Sequence, residues 1–252
     1  MTEHFPDATQ LAHHSSQQGP SRKEVWKMFD RFHRRYDLAN RIISLGRDKA
    51  WRRKVADFAP QKTDLDILDL ATGTGDQLFA LHKAGLRWRS ATGMDMASGM
   101  LSIARQKNKN IPCPDIRWIE GDATQLHLHP VKYDFITMSY GIRNVLDVPG
   151  TLRGIFSALR PGGVAAILEA SRPGFAPLAL AHRLFLRLWV QGVGGLISGD
   201  PAAFRYLPDT ILTFPSGEDF LALMREAGFE QVKQTPLMLG AVSIYSGARP
   251  HD

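Results

Sequence analysis

Ile67-Leu-Asp-Leu-Ala-Thr-Gly-Thr-Gly-Asp76 carries an apolar run straight into two glycines and an acidic helix start. Gly73 and Gly75 lack a Cβ, so the backbone can turn sharply there and a ligand can lie directly against it. A dinucleotide loop of the G-x-G-x-x-G kind would place a third glycine where Leu78 stands, and would seat a pyrophosphate on the following helix N-terminus. Asp76 occupies that first turn instead, where its carboxylate satisfies the free N–H groups and repels an incoming anion. The loop therefore suits a ligand without phosphates. Twenty residues after Gly75, a second apolar run ends in Ala91-Thr-Gly-Met-Asp95, and Asp95 can accept two hydrogen bonds from a ribose diol.

Working outward, apolar strands and helical stretches alternate. The strand at 66–70 is followed by a helix at 76–83 closed by Gly85, a strand ending at Asp95 and a helix at 97–107. Strands at 115–119 and 133–139, a helix at 148–159, a Pro161-Gly-Gly163 turn and a fifth strand at 164–169 continue the pattern. After a helix at 216–227 stopped by Gly228, two strands at 230–235 and 241–247 read as a hairpin at the sheet edge. This predicts an α/β, Rossmann-like fold: a mostly parallel seven-stranded sheet with helices on both faces and an antiparallel C-terminal hairpin. Ligands of open α/β sheets bind beyond the carboxyl ends of the strands. That rule gathers Asp69, Thr72, Gly73 and Gly75 after strand one, and Asp95 and Met96 after strand two. It adds Asp122 and Ala123 after strand three and Ser139 at the end of strand four as cofactor-binding candidates. Asp122 would accept from the exocyclic amine of adenine, with a turn or helix cap as its equally ordinary alternative. A phosphate-free adenosine cofactor fits the whole set, and S-adenosylmethionine is the one expected.

The 252 residues suffice for one full-sized domain with appendages. The single cysteine, Cys113, excludes an internal disulfide framework and is compatible with a reducing compartment. Residues 1–21 lack the pattern of a signal peptide and read as a mobile tail. The longest uncharged stretch near residue 190 is too short to span a bilayer. Net charge is +6, and residues 22–54 concentrate it with twelve Lys or Arg against four Asp or Glu. Within that segment Val25, Phe29, Phe32 and Tyr36 recur at helical spacing. His127 and His129 have no ligand cluster around them, and no metal is expected.

The motifs Arg35-Tyr-Asp-Leu-Ala-Asn40, Leu68 to Asp76, Tyr140-Gly-Ile-Arg-Asn144, Leu159-Arg-Pro-Gly-Gly163, Phe204-Arg-Tyr-Leu-Pro208 and Phe214-Pro215 together carry a family resemblance. From residue 25 to 247 the chain resembles the UbiE/MenG family of ubiquinone and menaquinone biosynthesis C-methyltransferases, class I enzymes dependent on S-adenosylmethionine. The resemblance implies a methyltransferase domain at 22–252, with a helical lid at 22–60 and a substrate-side insertion at 173–210. It implies methyl transfer to a ring carbon of a polyprenyl hydroquinone, either demethylmenaquinol or a benzoquinol precursor of ubiquinone. Alignment of the ring carbon with the methyl group can supply roughly 7–11 kcal/mol, and loss of the hydroxyl proton enriches the ring in electrons. Arg143 would stabilise the developing phenolate, Asn144 would position the substrate oxygen or a water, and Tyr36 would complete the lid. The sequence does not identify the proton acceptor; a water and His182 stay open, the latter read as lying more on the surface of its helix than in the site. A structural ion pair is the alternative for Arg143, and packing for Tyr36. Two positions depart from the family pattern: Gln77-Leu78 replaces a small apolar residue and a threonine, and Tyr245 stands where histidine is usual.

A polyprenyl acceptor also implies contact with lipid. Leu180, Leu184 and Leu188, and Ala181, Phe185 and Trp189, fall at helical spacing, as suits an interfacial helix or a tunnel wall. The alternatives are packing on the domain or a homodimer contact. The expected setting is cytoplasmic, peripheral on the inner membrane face, where the basic 22–54 segment would meet anionic headgroups. Two other functions stay open at this point: a methyltransferase for another aromatic or isoprenoid small molecule, and, ranked last, an RNA-binding scaffold built on Trp26, Phe29 and Trp51. No nucleic-acid partner is expected.

Overall fold

The computed structural model describes residues 37–111, 113–128, 131–193 and 201–251. The tail at 1–21, the lid up to Tyr36, and His129 lie outside the described residues. Residues 37–43 are helical and lead into α1 (Asp48–Lys54). The core then runs β1 (Leu65–Leu70), α2 (Asp76–Lys83), β2 (Trp88–Asp95), α3 (Ser98–Asn110), β3 (Ile116–Glu120) and β4 (Tyr133–Ser139). It continues with α4 (Val148–Ala158), β5 (Leu159–Ala170), α5 (Ala176–Phe185), α6 (Pro201–Thr213), α7 (Glu218–Glu226), β6 (Glu230–Leu237) and β7 (Val242–Ala248).

All six residues of β1 and all seven of β4 are buried, as expected of strands covered on both faces. The strand order is β3-β2-β1-β4-β5-β7-β6, with β7 antiparallel to both its neighbours and the other pairings parallel. On one face Leu68, Leu70, Ile136 and Met138 meet Leu152 and Ile155 of α4 and Phe220 and Met224 of α7. On the other, Ile67 and Phe135 meet Leu78 and Leu81 of α2. The order reverses between β1 and β4, so the chain leaves those strands in opposite directions and a crevice opens between their carboxyl ends. The opposite ends are clamped by ion pairs: Arg160 bridges Asp66 of β1 and Asp134 of β4, with Lys62 on Asp134 and Arg89 on Asp66.

One element differs from the sequence reading. The segment Pro161-Gly-Gly163 is not a turn that precedes a strand but an irregularity inside the twelve-residue β5. The β4–β5 register slips between Tyr133 and Phe135. Gly162, at φ +73°, absorbs the slip and donates its N–H to the Arg249 carbonyl at 3.0 Å. The C-terminal segment thus extends the sheet over residues that sequence alone assigns to a turn.

Over the crevice lies a cap with its own small core. Ala39 from the first helical segment packs with Leu186 and Val190, in the π-helical turn after α5, and with Ile211 of α6. This cluster is separate from the two sheet cores and meets the sheet at Ala170 of β5.

Candidate active site

The loop after β1 is locked by its own backbone. Thr72 N–H donates to the Met94 carbonyl and Gly75 N–H to the Thr72 carbonyl, each at 3.0 Å, while Gly73 N–H donates to Asp95 Oδ2 at 2.8 Å. Those N–H groups are already engaged and do not form a nest for phosphate. Gly75, at φ +83°, lies on Trp118 and Phe79, which a Cβ would meet at 2.6 and 2.9 Å. At the start of α2, Asp76 accepts from Lys107 at 2.7 Å, and Lys107 also pairs with Asp37 of the cap at 2.5 Å. Lysine charge near the loop is thus matched by protein carboxylates. The loop fits a cofactor without phosphates, as the sequence implied.

Asp95 accepts from Gly73 and, through Oδ1, from Ala97 N–H at 2.9 Å, which fixes its carboxylate at the end of β2. Met96 beside it is exposed, and Ala123 is buried in the core against the sheet. Asp122 caps its own turn through Thr124 N–H at 2.8 Å, so the ordinary alternative holds for Oδ1, while Oδ2 makes no hydrogen bond among the described residues. Asp69 and Thr72 differ from expectation. Asp69 is 1% exposed and accepts from the hydroxyls of Thr72 and Thr137 at 2.6 and 2.7 Å. Burial pushes its pKa up to about 6 against the pull of those hydroxyls. Both residues shape the loop from below. Ser139 likewise gives its hydroxyl hydrogen to Gln77 Oε1 at 2.8 Å rather than to the crevice.

Gln77 is the link between the two halves of the site. Its Nε2 donates to the Arg52 carbonyl at 3.0 Å, so one buried amide ties α1 to α2 and β4. Gln77, which replaces a small apolar residue of the family pattern, is a buried strut.

Beyond Arg52 opens a cavity of about 340 Å³. Its walls are largely apolar, with Ile43, Leu178, Phe185, Val190, Ile211 and Leu239 among them. Polar groups on its lining are Asn40, Ser44, Asp48, Arg52, Tyr140, Arg143, Asn144 and His182. Arg143 and Asn144 therefore meet as expected in the turn after β4. Arg143 is also ion-paired with Glu169, at 0% exposure near the end of β5, so the structural alternative is realised alongside the site position. His182 corrects the surface reading: it lines the cavity, and burial lowers its pKa, leaving the imidazole neutral at pH 7. Trp51, grouped in sequence with an RNA-binding face, lines the cavity as well. Tyr36 lies outside the described residues.

The sequence profile of the ubiE/COQ5 methyltransferase family matches residues 16–249. The chain belongs to this family. It is 38% identical over 223 residues to the demethylmenaquinone methyltransferase of Thermus thermophilus, spanning 88% of this chain and 100% of that one. It is 35% identical over 242 residues to the ubiquinone/menaquinone biosynthesis C-methyltransferase UbiE of Geotalea daltonii, spanning 90% and 97%. In fold it resembles a SAM-dependent methyltransferase from Thermotoga maritima, with a TM-score of 0.60 at 18% identity over 89% of this chain and 99% of that one. The protein is thus an S-adenosylmethionine-dependent methyltransferase of the class I fold.

Within this methyltransferase, Tyr245 bears on the core and not on the cavity. Its ring packs on Phe220 at 4.7 Å and its hydroxyl accepts from Gly217 N–H at 2.9 Å, on the far face of the sheet. The sequence missed Asp48, Arg52 and Glu169. Glu169 was findable, since it ends a strand at the carboxyl edge; Asp48 and Arg52 look like ordinary members of a charged helix until the cap folds over the sheet.

Proposed function

We propose that this enzyme methylates a ring carbon of a polyprenyl hydroquinone, demethylmenaquinol or a benzoquinol precursor of ubiquinone. The observation that carries the reading is the apolar cavity abutting the cofactor crevice, with its polar groups gathered near the carboxyl ends of β4 and β5. A ring with a hydroxyl fits that polar end and an isoprenoid tail fits the walls. Asp95 and the Gly73–Gly75 loop hold the ribose side of the cofactor, with Met96, Asp122 and Ala123 around its adenine. When bound, S-adenosylmethionine supplies an electrophilic methyl group.

The chain's own residues then do the rest. Arg143, held by Glu169, presents positive charge where the acceptor oxygen becomes anionic. Asn144 orients that oxygen, and His182 Nδ1 or Nε2 takes its proton, being neutral at pH 7. The test is incubation with methyl-labelled cofactor and demethylated quinol. Label in the ring methyl group supports the reading, and none in the quinone fraction defeats it.

The same cavity, with the apolar surface beside it, supports a proposed membrane contact. Phe175, Leu180, Leu184, Leu188 and Leu239 are exposed, Leu188 at 73% and Leu239 at 77%, and Leu239 also lines the cavity. No helix among the described residues is long and apolar enough to cross a membrane. We infer that this face rests on the bilayer, delivering the tail to the cavity from the side. Replacing Leu180, Leu184 and Leu188 with Glu should abolish co-flotation with anionic vesicles. Undiminished flotation, or a shift from dimer to monomer without any change in flotation, would assign the face to something other than lipid.

A further inference from the structure

The turn after β4 holds polar atoms that the protein itself does not satisfy. Among the described residues, the Tyr140 hydroxyl, Arg143 Nε and Asn144 Oδ1 are all buried without a hydrogen-bond partner. Buried groups left unpaired are costly and uncommon. Tyr140 also sits at φ +60°, a conformation a bulky side chain rarely takes, and is held there by its N–H on the Leu168 carbonyl at 2.8 Å. Strain and unpaired polarity at one turn, on the lining of the cavity, point to a ligand that completes it.

Chemistry narrows what Tyr140 does there. The guanidinium groups of Arg52 and Arg143 lie 5.4 and 6.0 Å from its ring centre. The charged groups that face its hydroxyl are Arg52 and Asp48 from α1, Arg143 from its own turn and Glu169 from β5, while His182 lines the cavity from α5. Burial pushes the phenol pKa well up, so the group keeps its proton and acts as a donor, not a base. A donor beside two guanidinium groups is matched to an oxygen that carries negative charge.

We propose that Tyr140 is a substrate-contacting catalytic residue whose hydroxyl donates a hydrogen bond to the ionised ring oxygen of the acceptor. This rests on the cavity being the acceptor site, and goes beyond it by assigning the group that holds the phenolate. When the acceptor O–H breaks, the electron pair stays on oxygen and the proton passes to His182 and from there to the solvent. Tyr140 and Arg143 stabilise the charge left behind.

The experiment uses 4-nitro-1-naphthol, whose anion is coloured, and its methyl ether as a probe that cannot ionise. Both are titrated into the enzyme without cofactor, wild type and Tyr140→Phe. The expected result has two opposite signs. Removing an unsatisfied buried hydroxyl should raise the melting temperature by a few degrees, while affinity for the naphtholate falls about tenfold and the bound probe's pKa rises by about one unit, since tenfold is one unit. Affinity for the methyl ether should change less than twofold, and unchanged affinity for S-adenosylhomocysteine certifies the variant's fold. Equal naphtholate affinity and equal probe pKa in the two proteins overturn the Tyr140 assignment alone. Failure of the wild type to bind either probe overturns it together with the acceptor-site reading.

Discussion

At the cofactor end the N–H groups of Thr72, Gly73 and Gly75 find their partners in the loop itself or at the end of β2. At the acceptor end Tyr140, Arg143 and Asn144 keep buried polar atoms with no partner among the described residues, under a cap drawn from distant parts of the chain. The two ends share one sheet edge and differ in completeness. A cofactor that is the same for every member of a large class can be met by a finished backbone surface. An acceptor ring must be oriented and its charge stabilised, and groups left unsatisfied in the free protein gain their bonds only when it arrives.

If that contrast is right, disturbing the acceptor end should cost stability and acceptor handling, and disturbing the other end should cost cofactor affinity. The largest expected effect is on Glu169→Ala, which strips the buried counter-charge from Arg143 and should destabilise the fold by about 3–5 kcal/mol in urea unfolding. A loss under 1 kcal/mol would mean that the pair is dispensable. Next is Asp69→Asn. The folded pKa of Asp69 is about 6 against 3.8 unfolded, so the folded state binds the extra proton and this contribution is full below pH 3.8 and lost as pH rises through 6. A rise of about two units corresponds to about 2–3 kcal/mol. The wild type should lose that much relative to the variant between pH 3.5 and 7.5, and parallel stability curves would show that Asp69 is not buried as described.

Asp95→Ala should weaken S-adenosylhomocysteine binding roughly 100-fold by calorimetry, as expected from losing charge-assisted bonds of about 1.5–3 kcal/mol each. Naphthol binding should stay within about twofold. Unchanged cofactor affinity would put the ribose elsewhere. The smallest effect tests the strut between the ends: Gln77→Leu removes the amide that joins Arg52 to Ser139 and should cost about 1–2 kcal/mol. Both affinities should fall a few-fold together. A change confined to one end would show that the ends are not coupled through Gln77.

How far the sequence could be read follows the same division. The helix at 76–83 and the strand at 133–139 have the bounds the residues imply, because glycines and apolar runs mark their ends locally. The glycine loop and Asp95 were legible because their partners are close in sequence or in the next strand. Asp69 was legible as a position but not as a role: an Asp that ends a strand reads the same whether it faces a ligand or two threonine hydroxyls. His182 was read as a surface residue, and Gln77 carried no role in the sequence reading, for the reason that a helical position has no face until something packs on it. Glu169 was overlooked because a buried carboxylate is explained only by its counter-charge, and Arg143 lies twenty-six positions away.

By itself the sequence determined the order of strands and helices, the glycine loop built against backbone and suited to a cofactor without phosphate, and the family to which the enzyme belongs. These depend on periodicity, on residues that lack a Cβ, and on motifs that short stretches of chain carry whole. Only the tertiary structure decided that the cap encloses an apolar cavity, that Arg143 is held by Glu169, that His182 lines that cavity, and that the Tyr140 hydroxyl is buried and unanswered. Those facts concern which surfaces exclude water from one another, and that is settled by contacts between residues far apart along the chain.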